Sequence, residues 1–174
     1  MGKSCLIVVD YQVDFVSGSL GFKGAEALDD EIVEKIREYR ENGGDVIFTL
    51  DTHTKDYLKT YEGKHLPVKH CIAGRKGHRL FGRVAAEVMG DDIVIEKNSF
   101  GSSRLLDVLA KKNYDIVELC GLVSNICVIS NAIIAKTALP EAEIIVDSSL
   151  TASSDSDLHN KALDVMKGLQ IVVK

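Results

Sequence analysis

CLIVVD, residues 5–10, is an unbroken apolar run that stops on an aspartate. A strand without polar alternation fits a parallel sheet covered on both faces, because neither side of the strand is prepared to meet water. The pattern recurs down the chain. Residues 46–50 run into Asp51, residues 93–95 into Glu96 and Lys97, and residues 115–120 into Gly121, with further short strands at 144–146 and 171–173. Helix-period segments fall between them at 29–42, stopped by Gly43 and Gly44, and at 80–89. Another is capped by Ser102 or Ser103, with Leu105, Leu106 and Leu109 inward and Asn113 at its end; one carries Cys127 and stops before Pro140; the last spans 157–167 with Gly168 as its cap. Strands alternating with helices of this length predict crossover units and a mostly parallel sheet with helices on both faces. No repeat and no second composition regime appears, so residues 1–174 are expected to form a single domain.

Composition excludes several classes of function. The chain has 174 residues, 27% charged and 45% hydrophobic, with a net charge of -5, which provides no basic footprint for nucleic acid. No apolar run reaches membrane-spanning length, and the start MGKSCLIVVD lacks the layout of a secretory signal, so a cytoplasmic location is expected. In that reducing setting Cys5, Cys71, Cys120 and Cys127 read as packing, ligand or nucleophile candidates before disulfides.

In an open parallel sheet the ligand site lies beyond the carboxyl ends of the strands. Asp10, Asp51, Lys97 and the turn before Cys127 each follow a different strand, so they share one sheet edge and can meet. The stretch GLVSNICV, residues 121–128, carries a strand through a tight polar turn and opens a helix with Cys127, where unpaired amides and the helix dipole favour a thiolate. A thiol needs a base, for which Asp10 is the candidate, and Lys97 can favour the thiolate and hold the carboxylate. Backbone amides of the turn can supply an oxyanion hole.

A second constellation follows the second strand. Residues 51–77 form a long connection without clear periodicity, rich in His and Tyr, and read as a structured active-site loop. Asp51 and His53, two residues apart on extended backbone, can chelate one divalent cation if a third ligand returns from the loop; spacing does not choose among Glu62, His65, His70 and Cys71. Neither a GxGxxG nor a GxxxxGK[ST] pattern follows the first strand, which disfavours a dinucleotide or nucleoside-triphosphate site; the glycines of GFKGAEAL, 21–28, read as turn formers.

VVDYQVDF, DTH, LPVKHCIAG, EKNSFGSS and GLVSNICV occur in that order across the whole chain. Together they resemble the isochorismatase-like cysteine hydrolases, most closely the nicotinamidase branch. The resemblance implies a three-layer α/β/α sandwich with a six-stranded sheet, a triad of Asp10, Lys97 and Cys127, and a non-proline cis peptide between Leu122 and Val123. The amides of Val123 and Cys127 would form the oxyanion hole. Metal ligands would be Asp51, His53 and His70, with Glu62 additional and His65 left out, and the ion would be zinc, or iron or manganese. It would orient a pyridine carboxamide toward Cys127, with Phe15 and Leu122 contacting the substrate. Zinc-dependent hydrolysis of nicotinamide, a place in pyridine-nucleotide salvage and a homodimer or larger homo-oligomer follow as expectations. The alternatives are an amidase for a carbamoyl, ureido or other small amide, and a non-catalytic metal- or ligand-binding domain of the same fold. Two departures bear on specificity: Ser124 and Asn125 stand where the family usually has threonine and aspartate, and there is no tryptophan, leaving Tyr57, Tyr61 or Phe100 to serve as the aromatic wall.

Overall fold

The structure is a computed structural model that describes residues 2–174. Its centre is a six-stranded sheet of β1 (Ser4–Val9), β2 (Asp45–Asp51), β3 (Ile93–Lys97), β4 (Ile116–Leu122), β5 (Glu143–Ala152) and β6 (Val172–Val173), in the order β3-β2-β1-β4-β5-β6. Every pairing is parallel. The helices are α1 (Val13–Val16), α2 (Asp29–Glu41), α3 (Tyr61–His65), α4 (Ser103–Lys112), α5 (Ile129–Ala138) and α6 (Ser156–Gly168).

The unbroken apolar run of β1 is explained by its position between two neighbours and two covered faces. Cys5, Ile7 and Val9 join a core cluster with Leu105 and Leu109 of α4, Ala132 and Ala135 of α5, and Leu163 and Met166 of α6. Leu6 and Val8 point the other way and join Ile32, Val33 and Ile36 of α2. Period-2 alternation along a strand thus sends successive side chains into two different cores, each fully buried aliphatic contributing about 2 kcal/mol of transfer free energy. Helix α4 ends where its punctuation indicates. The Ser102 hydroxyl accepts the Leu105 N–H at 3.2 Å, and Asn113 takes the left-handed conformation at φ 53°.

One expected helix is absent. Residues 80–89 contain only a single 3₁₀ segment, Val84–Glu87. Leu80 instead pairs with Gln12 in an antiparallel bridge, and Gly82 turns the backbone at φ 54°. The Asp29 carboxylate then accepts the N–H groups of Arg83 and Val84, replacing the internal bonds a helix would make. The connection after β1 includes α1 and a 3₁₀ turn at Glu26–Leu28. The fifth strand extends well beyond 144–146, with a register shift opposite Leu119 and Gly121.

Candidate active site and metal site

Chain order along the sheet reverses between β1 and β4, the crevice where parallel sheets hold ligands. Val9, the last residue of β1, lies opposite both Thr49 of β2 and Gly121 of β4, while Asp51 lies opposite Lys97. Register alone therefore brings four of the expected residues to one edge. Gly121 is required there: it has φ 103°, and a Cβ would sit 2.1 Å from the Val9 carbonyl oxygen.

Asp10, Lys97 and Cys127 converge. Lys97 Nζ lies 2.6 Å from Asp10 Oδ2 and donates to Cys127 Sγ at 3.5 Å and to the Ser99 carbonyl at 3.0 Å. All three are buried, Asp10 completely. Asp10 adopts φ 45°, sparsely populated for a non-glycine residue, and its other oxygen accepts the Thr49 hydroxyl at 2.7 Å. Burial raises the Asp10 pKa above the usual carboxylate range, only partly opposed by the Lys97 charge. For Lys97, burial alone would ease deprotonation, but the Asp10 and Asp51 carboxylates hold it firmly as an ammonium.

The resting state of Cys127 differs from the expectation. Cys127 lies in a wide π-type turn, Ser124–Val128, ahead of α5, and is 5% exposed. Burial pushes its thiol pKa well up, and Asp10 adds to this by its charge and as an acceptor for the thiol hydrogen; Lys97 only partly compensates. Desolvation outweighs the helix terminus, so the resting group is a thiol beside an Asp10–Lys97 ion pair. The turn is pinned by the Val123 carbonyl, which accepts from Ile126 and Val128. The Leu122-Val123 peptide is cis, where the resemblance placed it.

The loop after β2 brings Asp51, His53 and His70 together, with one ligand atom from each lying within 4.8 Å of the others. His53 Nε2 is 2.9 Å and His70 Nε2 3.2 Å from Asp51 Oδ2, and Glu62 Oε1 stands 3.7 and 3.5 Å from the same nitrogens. The His70 Nδ1 hydrogen points to the Val68 carbonyl at 2.8 Å, which leaves Nε2 free as a lone-pair donor. His53 Nε2 is buried without a hydrogen-bond partner. Burial alone would raise Asp51, but the His53 and His70 imidazoles beside it and the Lys97 charge hold it far below the carboxylate range. Two imidazoles and a dry carboxylate with an orphaned nitrogen fit a divalent transition metal. Lys97 Nζ, 3.8 Å from Asp51 Oδ1, joins this set to the cysteine.

Other expected residues fall into place unevenly. Phe15 packs its ring 5.6 Å from that of His70. Leu122 is fully buried in the core on the α2 side, so its side chain does not face a substrate. His65 is outside the donor set, with Nδ1 on the Tyr61 carbonyl. Cys71 is buried and its N–H donates to Asp14 Oδ2. Tyr57 is fully buried behind the two histidines, 4.6 and 4.8 Å from their rings, and donates to the Leu66 carbonyl. It therefore supports ligands instead of walling a pocket. Ser124 Oγ meets His159 Nδ1 at 2.9 Å.

Three supporting residues were not singled out from the sequence. Buried Gln12 accepts the Asp51 N–H and donates to the carbonyls of Asp51 and His78, clamping the carboxylate's backbone. Thr49 orients Asp10. Asn131, fully buried, donates to the carbonyls of Cys127 and Phe100 and accepts the Ser102 N–H, tying the cysteine turn to the segment after Lys97. Thr49 is an isolated polar residue within VIFTL, and Asn131 with Ser130 interrupts the apolar run VISNAII, which is the signal that could have identified them.

A family model described as the Isochorismatase domain matches residues 4–173. No curated relative matches the sequence. Among solved structures, the Bacillus subtilis nicotinamidase is 27% identical, with 98% of each chain covered and a TM-score of 0.86. The Streptococcus mutans pyrazinamidase/nicotinamidase is 28% identical over 99% of this chain and 100% of its own, with a TM-score of 0.87. The Pyrococcus horikoshii pyrazinamidase, solved in complex with zinc, shares the fold at 22% identity and a TM-score of 0.87, covering 99% of this chain and 98% of its own.

Proposed function

The chain belongs to the isochorismatase family, on its nicotinamidase branch, and from that premise we propose that it hydrolyses nicotinamide to nicotinate and ammonia through a Cys127 thioester. It is a hydrolase of linear amide C–N bonds. The observation that most supports the narrower reading is the position of Lys97, within 4 Å of Asp10, Cys127 and Asp51, which joins a nucleophile centre to a metal-donor set.

In the proposed reaction the Cys127 thiol gives its proton to Asp10 as Sγ attacks the carboxamide carbon. Coupling proton loss to attack suits a thiol whose resting pKa is high, and Lys97 steadies the anionic charge that develops. The amides of Val123 and Cys127 receive the oxyanion. Asp10 then returns the proton to the departing nitrogen, breaking the C–N bond and releasing ammonia. A water, deprotonated by Asp10, cleaves the thioester and regenerates the thiol. A zinc ion held by Asp51, His53 and His70, with Glu62 as an additional ligand, would supply a Lewis-acid anchor for the pyridine nitrogen. Phe15 packs against the ring.

A single domain over residues 1–174, zinc in preference to iron or manganese, a homodimer or larger assembly, a cytoplasmic location and a role in pyridine-nucleotide salvage belong to the same proposal. Four free cysteines fit a reducing compartment. The test is ammonia release from nicotinamide and pyrazinamide by metal-loaded protein, with ureido compounds in parallel. Turnover of the ring amides that disappears on chelation is expected. Turnover of ureido compounds alone, unaffected by chelation, would replace this reading with the ureido one.

A further inference from the structure

Beside the triad and the metal donors lies a cavity of about 860 Å³. His53 and Glu62 reach it from the metal set, Ile126 reaches it from the position before Cys127, and Tyr61, Leu66 and Phe100 complete its lining on the apolar side. Those last four apolar residues are among the large hydrophobic side chains left exposed, at 37% for Ile126, 80% for Tyr61, 38% for Leu66 and 48% for Phe100. Apolar groups gathered around one opening mark a binding surface. The volume is near the upper end of the roughly 300–1,000 Å³ typical of pockets for drug-sized ligands. A bare pyridine carboxamide, held between the metal donors and Cys127, would leave most of it unfilled.

We propose that this vestibule receives a neutral apolar substituent carried on the ring of the substrate, so that aromatic carboxamides larger than nicotinamide are preferred and Phe100 and Ile126 determine that preference. The occupant is part of the substrate because the cavity borders the reaction centre: His53 and Glu62 of the metal-donor set line it, and Ile126 adjoins the nucleophile in the chain. The lining also selects by charge. Among the described residues, no lysine or arginine faces the cavity, and its one carboxylate is Glu62. An anionic substituent would meet one carboxylate and no lysine or arginine, whereas an apolar group would cover surface now in contact with water. The inference rests on the amidase reading.

The test compares nicotinamide with its 5- and 6-phenyl and 5- and 6-carboxy derivatives on the zinc-loaded protein. It reads both kcat/KM in the active enzyme and Kd in a Cys127→Ala background. At least one phenyl derivative is expected to bind more tightly than nicotinamide, and both carboxy derivatives less tightly. Phe100→Ser and Ile126→Ser should lower kcat/KM for the phenyl derivative about tenfold more than for nicotinamide, the scale of a lost apolar contact in a specificity pocket. Both side chains are partly exposed, so retained nicotinamide binding reports that the variants are folded. Exclusion of every phenyl derivative, preference for a carboxylate, or equal losses on both substrates would overturn the proposal. So would a second copy of the chain that buries Phe100 in solution. Tight phenyl binding that depends on Phe100, without hydrolysis of any amide, would uphold the vestibule and overturn the amidase reading alone.

Discussion

The π-type turn that carries Cys127 and the loop that carries His53, Glu62 and His70 face one another across the same sheet edge, yet they are held differently. The turn grows directly from β4 into α5, and its carbonyls are tied by Asn131 to the segment after Lys97. The loop has little regular structure, and its shape depends on side chains from elsewhere, Gln12 on the Asp51 backbone and Asp14 on the Cys71 N–H, and on its own Tyr57 behind the imidazoles. Electrostatics follow the same division. Burial near Asp10 keeps Cys127 protonated, while neighbouring imidazoles and a nearby ammonium keep Asp51 ionised. One half stores a proton to be moved and the other a charge to be used for binding. Each half should therefore fail in its own way.

Asp10→Asn is expected to separate the two properties of the turn most strongly. Turnover should fall by about 10³-fold, within the usual range for a lost general base. Alkylation of Cys127 should nevertheless become faster at a given pH, because the aspartate raises the thiol pKa and Lys97 lowers it. In the unmodified protein, alkylation should rise with pH through a midpoint above the ordinary thiol value. A midpoint below it would restore the helix-terminus thiolate. Slower alkylation in Asp10→Asn would contradict the assigned electrostatics.

His53→Ala strikes the other half. Metal content measured by elemental analysis should drop and turnover should fall more than about 100-fold, exceeding the loss usual for an outer-shell residue, while the Cys127 alkylation profile keeps its shape. Gln12→Ala should act in the same direction but more weakly, at about tenfold in metal affinity. If Gln12→Ala changed thiol reactivity and left metal affinity intact, the division between the two halves would not hold.

The smallest effect lies at the far end of the sheet. Tyr114 donates to Asp45 at 2.6 Å and lowers its pKa, with Lys112 adding to the effect against partial burial. A depressed carboxylate contributes stability above its unfolded pKa and loses it as pH falls through the folded value. Asp45→Asn should accordingly flatten the acid side of the stability curve by no more than about 1 kcal/mol in this solvent-exposed setting, without changing turnover, as checked by thermal melts across pH.

The sequence was most readable where the backbone repeats. Apolar runs located the strands, and the residue ending each run marked the catalytic edge, because in a parallel sheet the end of burial and the site coincide. The 80–89 segment misled because its apolar spacing is real but Asp29, distant in sequence, takes the amides that a helix would bond internally. The resting protonation of Cys127 was not legible either: a helix terminus is local and visible in sequence, whereas burial and the proximity of Asp10 come from tertiary packing. Gln12 lies within the VVDYQVDF motif, but its role depends on reaching the carbonyls of Asp51 and His78, at opposite ends of the long connection.

The central claim, a Cys127 thioester, is tested most directly by acid-quenching the metal-loaded protein during turnover of nicotinamide and measuring peptide masses. One nicotinoyl group is expected on the peptide containing Cys127, absent from Cys127→Ala, which also releases no ammonia. Sustained ammonia release by Cys127→Ala would contradict it.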